Sequence, residues 1–266
     1  MANQSCNIKD VYSVFNKIDG EFGEKADKSE FANGSITRYC PHYKDEQGYG
    51  MCFSYLEMAR SGVINLLDNL KNYNLEYDKL AEYVILFLSY KLKQHSQHKS
   101  TNLNIVYTKD IETNKNYNNK IKDNGPTYKE IIDQKKDLMN MNINEISKFN
   151  VLFSILCKLY TECDKKKSYT NCSNDARDFA KNFENLNEDS NINGNTSYRK
   201  LLSTLSNDYD NFKIYCAEKC NGCNDLPTLP EIKTPPSKLI PVLSTFSVIP
   251  VFLGIAYKVN NKELKL

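Results

Sequence analysis

Apolar residues recur at the i, i+3, i+4 spacing of an amphipathic helix through most of the first 224 residues, with no sustained period-2 alternation in competition. The pattern predicts a short helix over residues 8–18, with Val11, Val14, Phe15 and Ile18 on one face. A loop containing Asn33-Gly34 and Cys40-Pro41 follows. Residues 52–70 read as a second helix that buries Phe53, Leu56, Ile64 and Leu67 and bends at Ser61-Gly62. The stretch AEYVILFLSYKL (81–92) is apolar almost all round, the mark of a central helix over residues 75–92 covered by its neighbours. Residues 93–122 are polar, Asn-rich and weakly periodic, so a long surface loop with at most some short helix is expected there. Pro126 or Thr127 then starts a helix that runs to Met139, and Asn144 caps another over residues 145–162. Two more cover residues 173–186 and 197–220, the last ending on Asn221-Gly222.

The pattern changes abruptly near the end. From Leu239 to Tyr257 the chain reads LIPVLSTFSVIPVFLGIAY, 19 residues without a charge. As a helix this run reaches roughly 28 Å, close to the roughly 30 Å hydrocarbon core of a bilayer. Pro241 falls in the first turn, where no intrahelical donor is needed. Pro250 frees a carbonyl that Ser244, Thr245 and Ser247 are placed to compensate. A single transmembrane helix over 239–257 is the reading, against the alternative of a buried core helix. It divides the chain into a helical ectodomain (1–224), a Pro-rich stalk of polyproline type (225–238), the span, and a short tail (258–266).

Composition adds a compartment and removes several functions. Thirty-five basic against 33 acidic residues leave a net charge of +2, with only four scattered arginines, so there is no electrostatic footprint for nucleic acid. The amino terminus MANQSCNIKD lacks the apolar stretch of a cleaved signal peptide, which leaves the late span as the expected targeting signal. Lysines flank the span equally, so charge does not orient it. The cysteines do: Cys6, Cys40, Cys52, Cys157, Cys163, Cys172, Cys216, Cys220 and Cys223 all precede the span, the distribution of an oxidised, extracytoplasmic ectodomain whose cysteines are disulfide candidates. Nine is odd, so at least one is left over. Zinc is the rival use of Cys216-x3-Cys220-x2-Cys223, with Cys163 and Cys172 as an improvised second pair. A disulfide closing the last soluble helix fits better, and no metal is expected.

Catalytic chemistry is thinly represented. The chain has no G-x-S-x-G elbow, Walker A loop, G-x-G-x-x-G fingerprint or H-E-x-x-H helix. His95 and His98 stand at i, i+3 in a polar stretch without a neighbouring carboxylate and read as a solvated pair; His42 follows Cys40-Pro41, where a disulfide is the safer use of the thiol. Four glycosylation sequons, at Asn3, Asn33, Asn171 and Asn195, mark permitted sites only, and Lys165-Lys166-Lys167 reads as a solvated turn. No enzyme activity, cofactor or small-molecule substrate is expected.

Four long stretches, AEYVILFLSYKL (81–92), DQKKDLMNMNINEISKFNVLFSILCKLY (133–160), SYRKLLSTLSNDYDNFKIYC (197–216) and SKLIPVLSTFSVIPVFLGIAYK (237–258), together with Cys6 and Tyr39-Cys40-Pro41, resemble the Plasmodium interspersed repeat (PIR) family, in its rodent-malaria branch. The resemblance implies an all-α, cysteine-bearing ectodomain on a single span, displayed at the surface of the infected red cell or in parasite-derived membranes. It also implies a non-enzymatic role in antigenic variation and immune evasion. It brings no catalytic residues and no common receptor motif. The sequence after the span, VNNKELKL, departs from the aromatic and basic tail of that branch, which puts tail-dependent trafficking in question. Two functions are therefore expected in order: a variant surface antigen that meets a host receptor or antibody, and an internal membrane-anchored scaffold in vacuolar or host-cell membrane remodelling.

Overall fold

A computed structural model of the chain describes residues 7–165 and 169–234. Helix α1 (Ile8–Asp19) leads into a two-stranded antiparallel hairpin, β1 (Phe22–Glu24) and β2 (Glu30–Ala32), in which Gly23 faces Phe31. A 3-10 turn (Gly34–Tyr39) and a disulfide-closed loop precede α2 (Tyr55–Leu70) and α3 (Tyr77–Gln94). Next come α4 (Leu103–Val106), continued by a π turn over Tyr107–Ile111, a 3-10 turn (Lys115–Asn118), α5 (Tyr128–Asp133) and α6 (Lys136–Met139). The chain closes with the long helices α7 (Ile143–Lys165), α8 (Cys172–Glu188) and α10 (Thr196–Lys219), α8 and α10 being joined by the short α9 (Ser190–Gly194).

Helix α3 is the axis, packed against α2, α5 and α7, while α7 is itself covered by α1, α8 and α10. Leu80 to Leu88 are buried without a break, which is why the stretch carries no polar face. Aromatic rings from three helices fill the centre. Tyr12 stacks on Tyr160 at 4.6 Å, and Phe15 meets Phe153 and Tyr83 edge-on at 5.1 and 5.3 Å.

Two buried ionic nodes tie these elements together. Asp208 of α10, wholly buried, accepts from Tyr12 Oη at 3.0 Å and Tyr83 Oη at 2.7 Å through one oxygen and pairs with Lys79 at 3.1 Å through the other. Lys91 of α3, 1% exposed, donates to the Asp19 carboxylate at 2.7 Å and to the carbonyls of Asp19 and Phe22 at 3.0 and 2.8 Å. The first node joins α1, α3 and α10; the second pins the α1–β1 corner to the end of α3.

Several expectations change. The β hairpin was not legible, because three-residue strands are too short to express a period of two. Helix α2 starts at Tyr55 with Ser54 as its cap, not at Cys52, and Phe53 is 58% exposed instead of buried. The helix passes through Ser61-Gly62 unbroken. Gly62 is there for contact, since a Cβ at that position would lie 2.7 Å from the Phe22 ring. Gly62→Ala is therefore expected to cost about 1–3 kcal/mol by overpacking, although Ala favours helix, and urea denaturation checks the sign. The helix beginning at Thr127 has a full capping box with Glu130 but breaks before Met139. Lys135 leaves the helical conformation (φ −125°, ψ 31°) and is buried in ion pairs of 2.7 Å each to Asp78 and Glu82. Asn142, not Asn144, caps α7 by accepting from the N–H groups of Asn144 and Glu145.

Residues 93–122 are not a free loop. Leu103, Val106, Tyr107, Ile111, Tyr117 and Ile121 are buried, and Tyr117 Oη donates to the Arg60 carbonyl at 2.9 Å. The described part of the expected stalk also lies on the body. Leu226, Leu229 and Ile232 pack against the core, Tyr209 Oη donates to the Pro227 carbonyl at 3.1 Å, and Asn187 exchanges hydrogen bonds with the Glu231 carbonyl and the Lys233 N–H. Apolar residues at every third position give this Pro-rich strand a buried edge. The expected span, Leu239 to Tyr257, and the tail lie outside the described residues; among the described residues no helix is long and apolar enough to cross a membrane.

Candidate functional site

The most conspicuous surface feature is the loop between Cys40 and Cys52. The two cysteines are disulfide-bonded across a separation of 12 residues, and Cys40 is fully buried under the loop. Inside the ring His42 and Met51 form an antiparallel bridge, with N–H to carbonyl distances of 3.2 and 2.7 Å. Asp45 closes the tip: its carboxylate accepts from the N–H groups of Gln47 and Tyr49 at 3.0 and 2.8 Å. Gly50 has no room for a side chain, since a Cβ would lie 2.5 Å from the Cys40 carbonyl oxygen. The hairpin is thus fixed at its base by a covalent bond and at its tip by an Asx turn.

The hairpin exposes a polar tip, Lys44 to Gln47, flanked by large apolar side chains. Tyr43, Tyr49 and Met51 on the hairpin, and Phe53 just after Cys52, are exposed at 79, 37, 56 and 58%, half of the large hydrophobic side chains exposed among the described residues, with Ile105, Ile143, Val151 and Ile214 elsewhere. His42 stacks on Phe53 with ring centres 4.2 Å apart, Tyr43 leans on Phe53 at 5.7 Å, and Arg38 lies over the Tyr49 ring and donates to its hydroxyl at 3.1 Å. Glu57 on the first turn of α2 holds the base, accepting from the Phe53 N–H at 2.6 Å and meeting His42 Nε2 at 3.0 Å. Partial burial acts to raise the Glu57 pKa. The Phe53 N–H and His42 outweigh it and hold the carboxyl below its ordinary value. Aromatic and methionine side chains on a pre-ordered scaffold are the composition of protein-binding hot spots, because little conformational entropy remains to be lost on contact. Exposed Phe53 was hidden in the sequence by its helical spacing from Leu56 and Ile64; the exposed tyrosines gave no signal.

The other predicted site residues separate into three groups. Cys172 and Cys223 form a second disulfide, tying the start of α8 to the segment after α10. Cys163, Cys216 and Cys220 are thiols gathered around it, while Cys157 is a thiol buried alone in α7. All four are disulfide candidates by sequence, with at least one cysteine expected to be left over; in this structure they are thiols. Burial pushes the Cys157 and Cys163 thiols well up and that of Cys216 up to about 12, which keeps them protonated. Cys6 lies outside the described residues.

The histidines are not a solvated pair. His95 is 2% exposed, its ring 4.2 Å from Tyr55, and its Nε2 lies 3.0 Å from Glu30 and 4.0 Å from Glu24. Folding supplies the carboxylates that sequence proximity did not. Of the sequons, Asn33 and Asn171 are exposed, whereas Asn195 uses its carbonyl to cap α10.

Comparison with known proteins follows the same outline. The family model "Plasmodium variant antigen protein Cir/Yir/Bir" matches residues 9–258. A solved structure described as that of a Plasmodium PIR protein ectodomain is similar at 32% identity and a TM-score of 0.62, over 85% of this chain and 99% of that one. A search of curated proteins gives no significant match. With a family model matched over nearly its whole length, and the helical ectodomain fold found with it, this chain belongs to the Plasmodium Cir/Yir/Bir (PIR) family of variant antigens.

Proposed function

We propose that the chain is a membrane-anchored variant antigen of malaria-infected red cells whose helical body meets host receptors or antibodies, and that the hairpin between Cys40 and Cys52 is its contact surface. Membership of a variant antigen family supports the class of function. The single observation that carries the choice of surface is the exposure of Tyr43, Tyr49 and Met51 on a covalently closed hairpin, with exposed Phe53 just beyond its base. Solvent-facing apolar side chains are costly to solubility and give nothing to the core, so their clustering at a disulfide-closed hairpin supports a protein partner. The uncharged run from Leu239 to Tyr257 supports the anchor.

An epitope tag belongs at the exposed Glu112–Thr113 turn, which leaves the Asp45 turn and the proposed contact surface intact. On intact infected cells the tag is expected to be lost to added protease together with a known surface protein. Its survival there overturns surface display. For the contact itself, the double variant Tyr43→Ser/Phe53→Ser is expected to weaken binding of the protein to host cells by tenfold or more, the loss of about 1.4 kcal/mol or more, with little change in thermal stability. Equal binding by wild type and variant overturns the assignment of the surface while leaving the family function standing.

A further inference from the structure

Five sulfur atoms from four separate parts of the chain meet at the end of the helical body. Cys163 comes from the last turn of α7, Cys172 from the first turn of α8, Cys216 from the last turn of α10, and Cys220 and Cys223 from the turn after it. The sulfurs of Cys163, Cys216 and Cys220 all lie within 4.8 Å of one another. Cys220 Sγ is 3.6 Å from Cys223 Sγ, and Cys216 Sγ is 4.0 Å from Cys172 Sγ. A tetrahedral zinc ion with zinc–sulfur bonds of about 2.3 Å holds its thiolates about 3.8 Å apart. Cys220 and Cys223 already stand close to a tetrahedron's edge apart, and the Cys163, Cys216 and Cys220 sulfurs lie within a small adjustment of it.

The local backbone fits the same use. Cys220-Asn221-Gly222-Cys223 is a C-x2-C turn, with Gly222 at φ +97°, a conformation that lets two cysteines from one tight turn converge on one point. The turn is held by the Tyr169 N–H, which donates to the Asn221 carbonyl at 2.8 Å. Cys163 and Cys216 then supply the second pair, from two helices that pack against each other along their length. The sequence offered Cys163 only with Cys172 as an improvised second pair; the fold pairs it instead with Cys216, 53 positions away.

We propose that Cys163, Cys216, Cys220 and Cys223 form a four-thiolate zinc site that is completed when the Cys172–Cys223 bridge is reduced. Reduction by two equivalents of a small thiol, which leave as their own disulfide, returns Cys172 and Cys223 to thiols. Zinc binding then displaces the four thiol protons of Cys163, Cys216, Cys220 and Cys223. In an oxidising compartment the bridge closes this end of the body; in a reducing one the metal replaces it, so the same residues hold α7, α10 and the following segment together in both.

Cys172→Ser tests this directly, because it frees Cys223 without any reductant. The full-length variant, purified anaerobically, is expected to retain one zinc per chain through gel filtration and, with cobalt in place of zinc, to show the thiolate-to-metal absorption of a four-sulfur site. Adding Cys163→Ser should weaken zinc binding by more than about 100-fold, whereas adding Cys157→Ala, which lies outside the cluster, should not. Should Cys172→Ser fold poorly, wild type reduced with a phosphine provides the same readout, with one zinc expected after reduction and none before. Cobalt spectra lacking thiolate bands, or a Cys163–Cys216 or Cys163–Cys220 disulfide in the non-reduced peptide map of Cys172→Ser with no zinc retained, overturns the proposal.

Discussion

Asp208→Ala is expected to destabilise the helical body by about 3–5 kcal/mol in equilibrium denaturation, and Asp208→Asn by about 1 kcal/mol or less. The alanine removes the acceptor that the hydroxyls of Tyr12 and Tyr83 share in a buried site, and losing a buried acceptor costs a hydroxyl about 1–3 kcal/mol. Lys79, 27% exposed, escapes to solvent in either variant and contributes little to the difference. Asparagine keeps one carbonyl oxygen for the two hydroxyls, which is why it is tolerated. The pH dependence separates the two roles of the carboxylate. Burial, the largest influence, raises the pKa of Asp208 against the lowering effects of Lys79, Tyr83 and Tyr12. A raised carboxyl contributes stability that is fully present below its unfolded value of 3.8 and is lost as pH rises through the folded value. Wild type is therefore expected to gain on Asp208→Asn as pH falls from 7 toward 4. A difference that stays flat over that range shows that the carboxyl is not titrating in the fold.

Lys91→Met is expected to cost about 3 kcal/mol, the second large effect. Methionine fills much of the same volume, so the loss isolates the ammonium group and its three bonds to Asp19 and Phe22. The Phe22 ring, 4.2 Å from Nζ, loses its cation as well. Because Asp19 is 29% exposed, its carboxylate can turn to water; the Phe22 carbonyl has no such exit. In the double variant Asp19→Asn/Lys91→Met the cost should fall short of the sum of the single changes, the signature of a shared interaction. Strict additivity would mean that the ion pair contributes nothing beyond packing. The Cys40–Cys52 hairpin lies away from this node in sequence, and its binding should survive as long as the body is folded.

Long helices were legible because each buries a broad stripe that repeats every 3.6 residues. Helices α1, α3, α7, α8 and α10 are where the periodicity places them, to within a few residues at each end. Legibility failed where burial does not repeat. Between Leu103 and Ile121 six buried apolar residues are strung on short α, π and 3-10 turns, so no single period describes them. Nothing local marks Lys91 and Lys135 as buried, yet each is buried against carboxylates from elsewhere in the chain. The exposed hairpin was missed for the converse reason. An apolar residue in a sequence is assumed to face inward, whereas Tyr43 and Met51 on the disulfide-closed loop, and Phe53 just after it, face outward.

The sequence by itself determined that this is a helical protein of the PIR family with cysteines on one side of an uncharged run, since helix period, composition and family motifs are local properties of the chain. It did not determine which cysteines meet, which charges are buried, or which apolar side chains face solvent. Those depend on residues up to 196 positions apart, as Tyr12 and Asp208 are, being brought within 3.0 Å. Hydrogen bonds, ion pairs and thiol contacts act over a few ångströms of space without regard to distance along the chain, so only the tertiary structure decided them.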